Sequence, residues 1–106
     1  MRISVQQERF DLGAESDGFA RGATDMGAVV TFTGVVRDRP GGGLQAMEIE
    51  HYPGMTEKAI RSIAQEAQTR WRLGDVLVIH RYGYLVPGER IMMVATAAPH
   101  RKDAFE

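Results

Sequence analysis

The sequence contains no cysteine. Disulfides, thiolate nucleophiles, cysteine-ligated zinc and iron–sulfur clusters are therefore excluded, and the redox compartment leaves no mark on the chain. Lysine is almost as scarce. Of 13 basic residues, only Lys58 and Lys102 are lysines and the rest are arginines. Serine is limited to Ser4, Ser16 and Ser62, none of them in the strand–turn–helix elbow that exposes a nucleophile. The histidines, His51, His80 and His100, are scattered without the His-x-x-x-His spacing of a helical metal site, so no metal is expected. No apolar run approaches the ~20 residues that span a bilayer, and MRISVQQERF lacks the apolar core of a signal peptide. The expected location is the cytoplasm, with no membrane partner. Excess charge is missing too: 13 basic against 14 acidic side chains leave a net −1. Without a global field there is no footprint for nucleic acid, and any anion site must be local.

What is present fits one compact domain over residues 1–106. A chain of this length can bury a single core but not two, and 43% apolar with 25% charged residues is the balance of a globular protein. Ile3 and Val5 alternate with polar neighbours as an opening strand. Leu12 to Ala20 falls near helical spacing. Ala28-Val29-Val30-Thr31-Phe32-Thr33 is β-branched and apolar on both faces, which predicts a central strand. Leu44 to Tyr52 predicts a half-exposed strand joined to it as a hairpin through Pro40-Gly41-Gly42-Gly43. Met55, Ala59, Ile63, Ala67 and Trp71 recur every four residues beside Ile60 and Ala64, predicting the longest helix, with Thr56 as N-cap and Glu57/Arg61 and Glu66/Arg70 as i,i+4 pairs. Val76 to Leu85 and Arg90 to Ala98 predict a hairpin around Pro87-Gly88, and Pro99 onward predicts the first turn of a helix. This β-α-β-β-α-β-β-(α) order predicts an α+β fold, a mostly antiparallel sheet with helices packed on one side.

The chemistry that remains open is anion binding. A Walker-type loop needs Gly-Lys-Ser/Thr leading into a helix, whereas Gly41-Gly42-Gly43 leads into a strand pattern, so a mobile hairpin tip is the better reading. Arg37 stands where an apolar strand leaves the sheet and can reach a cleft; Arg39, nearer the glycines, is read as solvated. His80 and His51 are read as packed and satisfied by hydrogen bonds. His100, beside Arg101 and Lys102 at a helix start, either binds an anion or is ordinary surface.

Several stretches also share one resemblance. Gly27-Ala28-Val29-Val30-Thr31-Phe32-Thr33-Gly34-Val35-Val36-Arg37, Glu48-Ile49-Glu50-His51-Tyr52-Pro53-Gly54-Met55, Val78-Ile79-His80-Arg81-Tyr82-Gly83 and His100-Arg101 together resemble the MoaE family, the large catalytic subunits of molybdopterin synthase. The resemblance spans almost the whole chain. It implies an α/β-hammerhead-like fold and a sulfurtransferase of molybdenum cofactor biosynthesis, converting cyclic pyranopterin monophosphate into the dithiolene molybdopterin. It also implies a ubiquitin-like small subunit whose C-terminal Gly-Gly thiocarboxylate brings the sulfur, and a homodimer of large subunits within a heterotetramer. No resident cofactor is implied. Val35, Val36 and Arg37 match the family's first substrate-binding segment, and His100 and Arg101 its second. The family's catalytic lysine lies in a later Lys-x-Arg-Ala-Pro-Phe-Trp-Lys segment that this sequence does not reach, and neither Lys58 nor Lys102 matches it. The catalytic residue is therefore unknown, and the expectation is a chain lacking the family's C-terminal segment. The alternative is a non-catalytic module that binds the small subunit or a phosphorylated ligand.

Overall fold

The computed structural model describes residues 1–44 and 46–106. In chain order the elements are β1 (Arg2–Gln6), α1 (Leu12–Gly22), β2 (Ala28–Val35), β3 (Met47–Ile49), α2 (Met55–Arg70), β4 (Asp75–Arg81), β5 (Gly83–Leu85), β6 (Arg90–Ala98) and α3 (Arg101–Phe105). The fold is α+β, with a four-stranded sheet in the order β1-β4-β6-β2 and a separate two-stranded sheet of β3 and β5. β4 and β2 are both antiparallel to β6, as the predicted β4–β6 hairpin requires, and β1 runs parallel to β4.

The layout follows from β4. Val76, Leu77, Val78 and Ile79 are all buried, and because strand side chains alternate, both faces of the sheet must be covered. On one face Leu77, Ile79, Met93 and Ala95 pack against Phe10, Leu12 and Phe19 from α1 and the segment before it. On the other, Val76, Val78 and Ala98 pack with Ala64 of α2, Leu73 and Ala104 of α3. The expectation of helices on one side is thus corrected: a strand apolar at every position needs a layer on each.

Three further expectations change. First, β2 is an edge strand, not a central one, and Phe32 is 62% and Val35 50% exposed. Second, β3 pairs with β5 and not with β2, and it is shorter than the predicted Leu44–Tyr52; Gln45 of that prediction lies outside the described residues. The predicted strand through Leu85 breaks after Arg81, because Tyr82 N–H donates to the Gln6 carbonyl at 3.0 Å and Gly83, at φ 92°, takes the left-handed conformation that redirects the chain to β3. Third, the glycine loop is not the tip of a β2–β3 hairpin. It folds around Asp38, whose Oδ1 accepts from the N–H groups of Arg39 at 2.8 Å and Leu44 at 3.0 Å, while Arg39 Nη2 donates to the Gly43 carbonyl at 2.8 Å.

The long helix stands where predicted, with Ile60, Ala64, Ala67 and Trp71 of the predicted stripe inward and Met55, Ala59 and Ile63 exposed. Each i,i+4 step overshoots a full turn by about 40°, so a strict four-residue stripe winds around the helix. Met55 is accordingly 72% and Ile63 68% exposed. Gly54, not Thr56, is the N-cap, and the Glu57 carboxylate accepts from its N–H at 2.9 Å. Glu57 is also bonded to His51, so it does not serve the expected pair with Arg61.

Candidate functional site

The first predicted binding segment ends β2. The β2–β6 register shifts between Gly34 and Val35, and such a bulge re-aims the residues that follow it. Val35 is exposed; Val36 is buried, and its backbone is fixed by N–H donation to the Glu89 carbonyl and acceptance from the Gly88 N–H, both at 2.9 Å. Arg37 therefore leaves the sheet from a rigid backbone with its side chain exposed. A buried apolar residue next to a surface arginine is a local pattern that fixes where the guanidinium starts without sequestering it.

The second segment begins at the end of β6. His100 is the N-cap of α3 with extended backbone, and its side chain makes no capping bond; Arg101 is the first helical residue, and both are exposed. α3 is anchored from below, since Ala104 is buried and its carbonyl accepts from Thr96 Oγ1 at 2.7 Å. A five-residue helix carries little dipole. Anion binding here would rest on the His100, Arg101 and Lys102 side chains and not on helix amides.

The two segments are not together. β2 and β6 pair from Ala28 opposite Ala98 to Val35 opposite Arg90. His100 and Arg101 lie beyond the Ala98 end, and Arg37 beyond the Val35 end. The intervening ladder alone is about 23 Å long at ~3.3 Å per residue, so no single anion touches Arg37 and Arg101 of one chain.

The other histidines are satisfied as predicted. His80 Nδ1 lies 2.9 Å from the Arg81 carbonyl, and His51 Nε2 lies 2.9 Å from Glu57 Oε1 while its ring stacks on Tyr82 with centroids 4.1 Å apart. Hydrogen bonds from its own backbone N–H and then from His51 hold the Glu57 carboxyl below the usual carboxylate range. Nearby, the Glu50 and Glu48 carboxylates accept from the Tyr52 and Tyr84 hydroxyls and push both phenols upward. Of these pairs, His51–Glu57 ties the segment after β3 to the start of α2, and Glu48–Tyr84 links β3 to β5. Among the described residues, no three His, Asp or Glu side chains are placed to share a metal ion, and no helix is long and apolar enough to cross a membrane.

Sequence reasoning passed over one residue. Arg81 is the sole buried charged side chain among the described residues, at 7% exposure, and its position at the end of an apolar strand was the only local signal.

Comparison with known proteins bears on the chain as a whole. The family model described as MoaE protein matches residues 5–106. A molybdopterin synthase catalytic subunit of Cereibacter sphaeroides is 65% identical over 105 residues, covering 99% of this chain and 71% of that protein. One from Brucella melitensis is 47% identical over 106 residues, covering all of this chain and 64% of the relative. Among solved structures, a molybdopterin biosynthesis MoaE protein from Burkholderia ambifaria superposes with a TM-score of 0.87 at 48% identity, over 99% of this chain and 71% of that one. The chain thus spans roughly two thirds of the length of the relatives it matches.

Proposed function

This chain belongs to the MoaE family, and from that premise we propose that it acts as the catalytic subunit of a molybdopterin synthase in the cytoplasm. Its reaction is transfer of sulfur from a thiocarboxylated ubiquitin-like small subunit to cyclic pyranopterin monophosphate. The absence of cysteine fits this chemistry, because the nucleophilic sulfur arrives on the partner and the chain's own residues need only bind and orient. Arg37 and Arg101 offer planar guanidinium forks for the substrate's anionic groups, and His100 offers a hydrogen bond or a proton. Val35 and Val36 supply the backbone that aims Arg37.

The observation that carries this reading is the placement of the two segments at opposite ends of an unpaired edge. Among the described residues β2 pairs on one side alone, and it exposes Val29, Phe32 and Val35, features of a strand that meets another chain. A second copy laid antiparallel along β2 about a two-fold axis near Phe32 sets the Val35 end of one chain against the Ala28 end of the other. Arg37 then lies about two strand spacings, ~10 Å, from the His100-Arg101 of its partner copy. Within one chain they are more than twice as far apart.

Subunit complementation tests this. Arg37→Ala and Arg101→Ala homodimers should each lose most molybdopterin formation while staying folded. After mixing and exchange, half the dimers are mixed and each of these keeps one of two sites intact, so activity should return to about a quarter of wild type. No recovery in mixtures shown to contain heterodimers would refute the shared site, and undiminished activity of either single variant would refute the residue assignments. Tight binding of the small subunit by a wild-type protein that forms no product would favour a non-catalytic module.

A further inference from the structure

We propose that Arg81, Arg9 and Arg90 form a binding site for a single oxyanion, a phosphate monoester or a terminal carboxylate, in the cleft beneath the turn between β5 and β6. The inference stands independently of the sulfur-transfer reading, since it needs only the charge and geometry of this cleft.

The first observation is a buried cation whose nearest counter-ion, Glu89, is distant and shared with Arg9. The Arg81 side chain is 8% exposed, and removing a guanidinium from water is costly unless hydrogen bonds and opposite charge replace the water. Its Nε donates to the Gln7 carbonyl at 3.0 Å and its Nη1 to the Arg90 carbonyl at 3.2 Å, so the group is rigidly held by neutral acceptors. Its nearest carboxylate, Glu89, stands 3.9 Å from Nη1, beyond hydrogen-bond distance. Glu89 is already engaged: Oε1 accepts from Arg9 Nη2 at 2.9 Å, and Oε2 from the Val86 N–H at 3.0 Å.

The second observation is where the remaining donor points. Among the described residues Arg81 Nη2 makes no hydrogen bond, yet no side-chain nitrogen or oxygen is both sealed from solvent and unpartnered. Nη2 therefore opens into the adjoining cavity. That cavity holds about 200 Å³ and is lined by Arg9, Phe10, Arg81, Gly88, Glu89 and Arg90. Three cations and one anion leave its wall with an excess of two positive charges. The volume is below the ~300 Å³ at which pockets begin to enclose drug-sized molecules, so it suits one oxyanion group of a larger ligand and not the whole ligand. A fixed Arg81 Nη2 donor in the cleft, with two exposed arginines at its rim, can engage one oxyanion group from more than one side.

The cleft lies at the Arg37 end of the sheet, since Val35 pairs with Arg90 and Val36 N–H donates to the Glu89 carbonyl. The anion can accordingly be the phosphate of a small substrate, the carboxylate end of a peptide tail, or free phosphate. Isothermal titration at matched ionic strength with cyclic pyranopterin monophosphate, a peptide ending in Gly-Gly, and inorganic phosphate distinguishes them, the tightest binder naming the source. Arg9 and Arg90 are surface side chains, so Arg9→Gln and Arg90→Gln should preserve the circular dichroism spectrum while each weakens that binding about tenfold. Glu89→Gln, which removes the competing carboxylate, should tighten it severalfold, a gain that a purely structural role for these residues would not produce. The proposal is overturned if no probe binds saturably, or if affinity is unchanged in the folded Arg9→Gln/Arg90→Gln double variant. It is also overturned if Arg37→Ala abolishes binding that the double variant retains, since the anion then belongs to the β2 segment. None of these readouts requires turnover, so they fail or succeed apart from the proposed reaction.

Discussion

Replacing Gly27 with alanine should cost this fold several kcal/mol more than replacing Gly18, and the reason lies in one backbone contact. A Cβ built on Gly27 would stand 2.3 Å from the Pro99 carbonyl oxygen, where real Cβ atoms essentially never come closer than 3.0 Å. Backbone at Gly27 or Pro99 must therefore move by at least 0.7 Å, and it cannot move freely, because Gly27 N–H donates to the Ala98 carbonyl at 3.1 Å. Losing that bond costs about 1 kcal/mol and the local strain of separating two backbone segments about 1–3 kcal/mol more, giving ~2–4 kcal/mol in total. For a domain of this size that lowers Tm by roughly 10–20 °C. Gly18, in the middle of α1, is the control: nothing lies within 4 Å of its added Cβ, and alanine there should raise stability by about 0.5–1 kcal/mol through helix propensity. Paired urea and thermal unfolding of the two variants measures both signs. A Gly27→Ala protein within about 0.5 kcal/mol of wild type would refute the close-contact argument, because no other feature of the site would explain such tolerance.

Two further perturbations probe how the fold holds its candidate segments. Thr96→Val removes the hydroxyl that bonds the Ala104 carbonyl, so α3 should loosen at a cost of about 1 kcal/mol in global stability; amide exchange at residues 101–105 should accelerate more than exchange in β4. Glu57→Gln tests a pH dependence. Because the folded carboxyl titrates below its usual value of 4.5, its contribution is present above that pH and is lost as pH falls through the folded value. The variant should be less stable than wild type near pH 7 and converge with it in acid; urea midpoints at pH 7 and about pH 3 that differ equally would contradict the assigned cause.

How much of this was legible in the sequence depended on whether local pattern and tertiary place agree. β4 was legible because Val76 to Ile79 is apolar at every position, which only a strand covered on both sides tolerates. β2 carries the same pattern and sits at the edge. Sequence cannot distinguish a strand buried inside one chain from one whose Val29, Phe32 and Val35 face outward, since burial of either kind selects the same residues. The β2–β3 hairpin was the simplest reading of a short glycine loop, but hairpin prediction assumes that sequential strands pair. Here Gly83 turns β5 away from the main sheet and gives β3 a different neighbour. The exposed N-terminal half of the α2 stripe failed for a geometric reason, the 40° drift per four residues, and an explicit 3.6-residue count would have selected Ile60, Ala64, Ala67 and Trp71.

The arginines show the same limit at the level of chemistry. In sequence Arg37 and Arg81 look alike: each closes an apolar strand and each precedes a turn. The fold separates them, because the acceptor that holds Arg81 Nε is the carbonyl of Gln7, 74 residues earlier in the chain, whereas Arg37 extends from a pinned Val36 into solvent. A buried, carbonyl-bound guanidinium is already oriented and loses little freedom on meeting an anion; an exposed one must lose about 1–2 kcal/mol of side-chain entropy first. Two arginines at one end of the sheet are therefore suited to different tasks. Arg81 can fix an oxyanion from beneath, and Arg37 can close over a ligand once a second surface, such as the edge of another copy, confines it.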